Sequence, residues 1–215
     1  AILVLTLAKA RRHASCSFLT TGLIALLALV FFVIAMEEVS WLQRVFDLRA
    51  PAAFGSNEQR ELNFHNFATN RIENLYYFGA FLFLVVTPLA RFFLPSIFSN
   101  THIAPLAPAP FIAVIGALGC VYNFDMWNIA FTQIAFFASV VALVFMAVVS
   151  PHRNERVLLV CAVLLLVATQ VAYLTNGEGF SRMWEVTEYK EFLIPLGFLA
   201  YSASVYRTMG KSAAP

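Results

Sequence analysis

The sequence predicts an all-α fold, a polytopic transmembrane helical bundle of about six spans, because a bilayer core about 30 Å thick takes about 20 apolar residues per helix. Three observations predict it. Of 215 residues, 60% are hydrophobic and 12% charged, against roughly 25% charged in soluble domains. Five stretches are long and apolar enough, or nearly so, to cross a bilayer, where a backbone must satisfy its own hydrogen bonds. No internal repeat or linker separates blocks of different composition, so residues 1–215 read as a single integral membrane domain.

The elements follow in chain order. Ala1 to Ala8 is too short to span and lacks a basic n-region, so it reads as the tail of a helix, a seventh span incomplete at its start, and not as a signal peptide. Spans are expected at Ser17 to Met36, Ile72 to Phe93, Met126 to Ser150, Val157 to Thr175 and, slightly short, Phe192 to Tyr206. Ala107 to Tyr122, with Pro108 and Pro110 near its start, makes a sixth candidate, tilted or re-entrant. Phe92 to Pro110, rich in Pro, Ser and Asn, reads as a loop.

Composition also excludes partners. A formal net charge of +2 without a long Lys/Arg run gives no purchase on nucleic acid, which leaves the lipid bilayer and other membrane protein subunits as partners. Cys16, Cys120 and Cys161 lie in or beside apolar stretches without metal-type spacing and read as packing residues.

Orientation follows from Lys and Arg near the span ends. With six spans and Lys9, Arg11 and Arg12 cytoplasmic, Arg91, Arg153, Arg156, Arg207 and Lys211 join them, against Arg44, Arg49, Arg60, Arg71, Arg182 and Lys190 outside. Every acidic residue except Glu155 then falls on the outer face, together with His65. This places a polar site on the extracytoplasmic side of what reads as a bacterial inner membrane, built from segments 37–71 and 176–191.

The first polar segment, Glu37-Glu38-Val39-Ser40-Trp41-Leu42-Gln43-Arg44, is expected to continue the preceding helix, which sets Glu37, Trp41 and Arg44 on one face and Glu38 on the next. Adjacent carboxylates at a membrane boundary need a neutralising partner, and Arg44 is the nearest. In the second, Ser56 and Gln59 have the spacing of a capping box and predict a helix start that runs on into the span at Ile72. On that helix Gln59, Asn63, Asn66 and Asn70 form an amide stripe, and Glu58, Glu61, His65 and Thr69 a second one beside it. Glu61 and His65, four apart, can hold one metal ion, or the carboxylate can orient the imidazole for proton transfer. In the third, Glu185 and Glu188 share a helical face and can point toward the first two. Asp125 and Trp127 fall in a turn on the same side.

One His among many carboxylates suits Mg²⁺, Mn²⁺ or Ca²⁺ better than zinc, so the candidate metal set is Glu37, Glu61, His65, Glu185 and Glu188. His65, Glu61 and Glu38 are the candidates for proton transfer. Arg44, Trp41, Gln43, Asn63 and Asn66 are the candidates for substrate contact, Arg44 through its fork of donors to an anionic head group.

The block EE-x-SW-x-QR, here Glu37, Glu38, Ser40, Trp41, Gln43 and Arg44, is followed by N-x-Q-x-E-x-N-x-HN, here Asn57, Gln59, Glu61, Asn63, His65 and Asn66. The pair resembles the pattern of an uncharacterised family of bacterial polytopic membrane proteins, and the resemblance implies no activity. The Glu pair alone is similar to the EE-x-x-x-R motif of CAAX-type intramembrane proteases. Arg44 comes two positions late for that motif, and no later span carries its histidine motifs.

Two function classes remain. One is a membrane enzyme, a metal-assisted hydrolase or transferase acting on a lipid-linked substrate at the outer face. The other is a non-catalytic accessory or scaffold subunit of an energy-converting or photosynthetic complex, its polar stripes joining helices. Charges deep within the spans are nearly absent, which argues against a transporter.

Overall fold

A computed structural model describes residues 1–12, 17–57, 60–121, 129–176, 179 and 188–211. Among the described residues every regular element is helical and there is no strand. The chain divides into two compact units, one of Ala1 and Leu3–Tyr76, the other of Ile2 and Tyr77–Pro215.

In the first unit, α1 (Ile2–Arg12) is followed by α2 (Phe18–Glu38). Ser17 caps α2, its hydroxyl accepting from the Thr20 amide at 3.1 Å. A segment of single 3₁₀ turns then leads to α3 (Thr69–Phe81). The expected helix from Ser56 does not form. Asn57 takes the Glu61 amide on its Oδ1 at 3.1 Å and donates to the Glu61 carbonyl at 2.6 Å. This is the side-chain-to-backbone competition by which Asn diverts a chain from a helix.

In the second unit, α3 passes through a π-helical turn at Leu82–Val86 into α4 (Thr87–Phe93), making one continuous helix over Thr69–Phe93. The short α5 (Pro95–Phe98) precedes α6 (Ile112–Val121), α7 (Ala130–Val149), α8 (Arg153–Asn176) and α9 (Glu188–Lys211). Phe81, Val85, Ala117, Phe136, Leu143 and Leu166 belong to the buried core of α3, α6, α7, α8 and the π turn. Gly116 allows the closest approach, since a Cβ there would stand 2.5 Å from Leu84 Cβ. Ahead of α6 in the chain, the Leu106 carbonyl accepts from the Tyr201 hydroxyl of α9 at 2.8 Å.

Four helices are long and apolar enough to cross a membrane: Phe18–Glu38, Thr69–Phe93, Ala130–Val149 and Arg153–Asn176. They coincide with four of the expected spans. In the Ala107 to Tyr122 candidate the described helix, α6, is 10 residues, about 15 Å long. α9 is 24 residues, with Glu188, Lys190, Glu191, Arg207 and Lys211 at its ends.

Candidate functional site

The site lies in the first unit, between the end of α2 and the start of α3. α2 stops because Ser40, Trp41 and Leu42 take φ of 47°, 52° and 62°. This left-handed region costs a non-glycine residue roughly 1–2 kcal/mol. Glu37, Trp41 and Arg44 therefore do not share a helical face. What holds the turn is a set of bonds to residues about twenty positions later.

Ser40 is the pivot. Its hydroxyl donates to Glu61 Oε2 and accepts from Asn63 Nδ2 at 3.1 Å. Trp41 folds back so that its indole N–H donates to Glu37 Oε1 at 2.6 Å, with its ring edge-on to Phe32. Gln43 Oε1 accepts the Leu62 amide at 2.5 Å. Arg44 pairs with Glu61 and not with Glu37 as the sequence suggested, and it keeps 82% of its side chain exposed.

Glu37 holds the other edge. Its Oε2 accepts the backbone N–H of Phe64 at 2.7 Å and of His65 at 3.1 Å, and lies 3.6 Å from His65 Nδ1. The carboxylate thus stands beside the imidazole without a hydrogen bond to it, and Nε2 has no hydrogen-bond partner among the described residues. His65 and Glu37 side chains are 21% and 16% exposed, so the pair is partly shielded but reachable. Glu61 and His65 come near each other through a loop, not through a helical i, i+4 face.

The hydroxyl of Ser40 and, next, the guanidinium of Arg44 hold the Glu61 carboxyl below its ordinary 4.5, against a smaller upward push from burial. His65 adds weakly to the lowering. Glu61 is therefore an anion that fastens the two segments.

Asn63 and Asn66 are each 1% exposed. Asn63 Oδ1, both amide atoms of Asn66 and the Thr69 hydroxyl have no hydrogen-bond partner. Such atoms are rare in native structures, and each calls for a ligand, a water or a rearrangement. Phe54 packs on Phe64 and Phe67, with both ring centroids 5.4 Å away.

Of the expected site residues, Glu37, Trp41, Gln43, Arg44, Glu61, Asn63 and His65 come together, and Asn66 lies buried beside them in sequence. Glu38 is exposed at the end of α2. Glu185, Asp125, Trp127, Glu58 and Gln59 lie outside the described residues, as does the side chain of Glu188. The expected metal set is not assembled among the described residues, where no three His, Cys, Asp or Glu side chains gather. The oxygens of Glu37 and Glu61 face N–H and O–H donors instead. Near the start of α9, in the second unit, the buried Lys190 amine stands 3.7 Å over the Tyr77 ring, and the Tyr77 hydroxyl bonds Glu191 at 3.1 Å.

Ser40 and Asn57 were not among the residues the sequence nominated for chemistry. The cluster Gly55-Ser56-Asn57 is a turn signal, and it is the one that prevails over the capping box. No family model matches the chain, and neither does any curated protein or solved structure.

Proposed function

We propose that this integral membrane protein carries an acid–base site at the membrane boundary, acting by hydrolysis or group transfer on a lipid-linked substrate. The observation that carries the reading is the Glu37–His65 pair. A carboxylate fixed by two backbone N–H groups stands 3.6 Å from Nδ1, and the His65 side chain keeps 21% exposure. An imidazole beside a carboxylate in this way can take a proton from a hydroxyl or water and return it to a leaving group. The exposed remainder of the Arg44 guanidinium is suited to an anionic head group.

In this reading the chain crosses the membrane about six times, with α6 and α9 adding to the four long apolar helices, and the site faces the extracytoplasmic side of a bacterial inner membrane. The excess of Lys and Arg at the opposite ends supports that orientation. The two sequence blocks of the site, which resemble those of bacterial polytopic membrane proteins, support the bacterial origin. A divalent ion would bind through Glu37 and His65, after displacement of the Trp41 indole.

The test is turnover of a total bacterial lipid extract by protein in nanodiscs, followed by mass spectrometry. Wild type should convert a lipid class, and His65→Ala should lower the rate on the order of 10²-fold or more. Glu37→Gln should lower it less. An extract left unchanged by wild type overturns the reading. Metal analysis of wild type beside His65→Ala and Glu37→Gln tests the ion.

A second reading, a non-catalytic subunit of a larger membrane complex, has its own observation. Glu61 spends both oxygens inside the protein, and only 11% of the apolar window of α2 is buried, which leaves a long face for a partner helix. Stoichiometric co-purification with other chains and no lipid turnover would favour it.

A further inference from the structure

The segment between α2 and α3, polar in much of its sequence, exposes aromatic side chains that a hydrated loop would bury. Phe64 is 63% exposed, Phe67 47% and Phe46 64%. Phe54 gathers Phe64 and Phe67 into one aromatic patch. Arg49, Arg60 and Arg71 are exposed around it in sequence and have neither an ion pair nor a side-chain hydrogen bond among the described residues. Arg60 stands at a φ of 54°, on the tight bend that turns the chain back toward Glu61.

The tether decides where this patch can go. Glu37, one residue from the end of α2, bonds the amides of Phe64 and His65, four or five residues before α3 begins at Thr69. The end of one membrane-length helix, Phe18–Glu38, is therefore bonded to the chain just before the next, Thr69–Phe93, and the loop is tied at that level. It has no slack at Phe64 or Phe67 with which to stand away from the bilayer. Aromatic rings at that depth favour the boundary between head groups and acyl chains, and arginines favour lipid phosphates.

We propose that this loop docks in the head-group layer of the protein's own membrane, with the Phe54–Phe64–Phe67 patch set against the acyl boundary and Arg49, Arg60 and Arg71 on the phosphates of anionic phospholipids. The acid–base pair is then approached from within the lipid layer and not from the aqueous phase. This seat does not depend on His65 performing chemistry, so the two proposals fail separately.

The experiment places an environment-sensitive NBD fluorophore at Phe64→Cys, in full-length protein whose three cysteines are changed to Ala. A second protein carries it at Phe67→Cys, since Phe64 also bonds Glu37. Both are reconstituted in phosphatidylcholine vesicles with and without phosphatidylglycerol. The expected result is blue-shifted emission, quenched by lipids with a shallow doxyl group more than by aqueous iodide. The phosphatidylglycerol-dependent part of that quenching should be lost when Arg49, Arg60 and Arg71 are changed to Gln. Water-like emission quenched by iodide at both positions overturns the proposal. So does a probe shielded from both quenchers, which would mean that protein covers the patch.

Discussion

Ser40 and Glu61 are joined by a hydrogen bond across 21 positions of chain, and Ser40 makes it from a φ of 47°. Changing the side chain and the backbone preference separately divides the two contributions. Ser40→Ala removes a hydroxyl bonded to a carboxylate and leaves the Asn63 amide without its acceptor, a loss of about 2–3 kcal/mol. Ser40→Gly loses the same bonds but relieves the left-handed backbone, so it should be less harmful than Ala by about 1 kcal/mol. Thermal unfolding in detergent checks the order. Equal loss in both variants would refute the role given to the turn.

Glu61 supplies a pH signature. Its native pKa is depressed, so its contribution to stability is fully present above its ordinary 4.5 and is lost as pH falls through the lower native value. Ser40→Ala removes the largest cause of the depression. The stability gap between wild type and Ser40→Ala should be constant from neutral pH down to 4.5 and narrow below it. Melting temperatures along an acid titration measure that gap.

Gly116 and Gly197 both face Leu84, and they should not respond alike to a methyl group. At Gly116 the new Cβ meets Leu84 Cβ at 2.5 Å and its backbone at 3.1 Å, where nothing can swing away. At Gly197 it meets Leu84 Cδ1 at 2.8 Å, the end of a flexible side chain. Gly116→Ala should cost about 1–3 kcal/mol, and Gly197→Ala clearly less. Unfolding of the two variants side by side gives the comparison.

Asn66 is buried with neither amide atom bonded. Leu has nearly the same shape and nothing to satisfy, so Asn66→Leu should raise stability by about 1–3 kcal/mol in the absence of ligand. If the amide serves a substrate, the same variant should lower lipid turnover. A fall in melting temperature would instead mean that an internal water occupies the site.

The four long apolar helices were readable from their apolar runs, since lipid demands length and hydrophobicity of any such helix. Glu37, Arg44, Glu61 and His65 stood out as polar residues crowded beside those runs. Their pairing did not, and Ser40 shows why. Left-handed backbone is normally announced by Gly or Asn, whereas here Ser40, Trp41 and Leu42 are pulled into it by Glu61 and Glu37. A carboxylate far along the chain leaves no local mark on the residues it bends. The turn at Gly55-Ser56-Asn57 was hidden for a related reason, because a capping box and an Asx turn draw on the same residue types.

The union of Glu37 with the Phe64 and His65 amides also bears on how the chain matures. Both of its partners lie before α3, so it can be tied before that helix is delivered, like a latch that closes behind α2. Reversing α2 afterwards would drag its polar end through hydrocarbon, at roughly 2.5–3.5 kcal/mol or more for each charge. α2 is in this way committed to its direction by the same bonds that shape the polar segment after it.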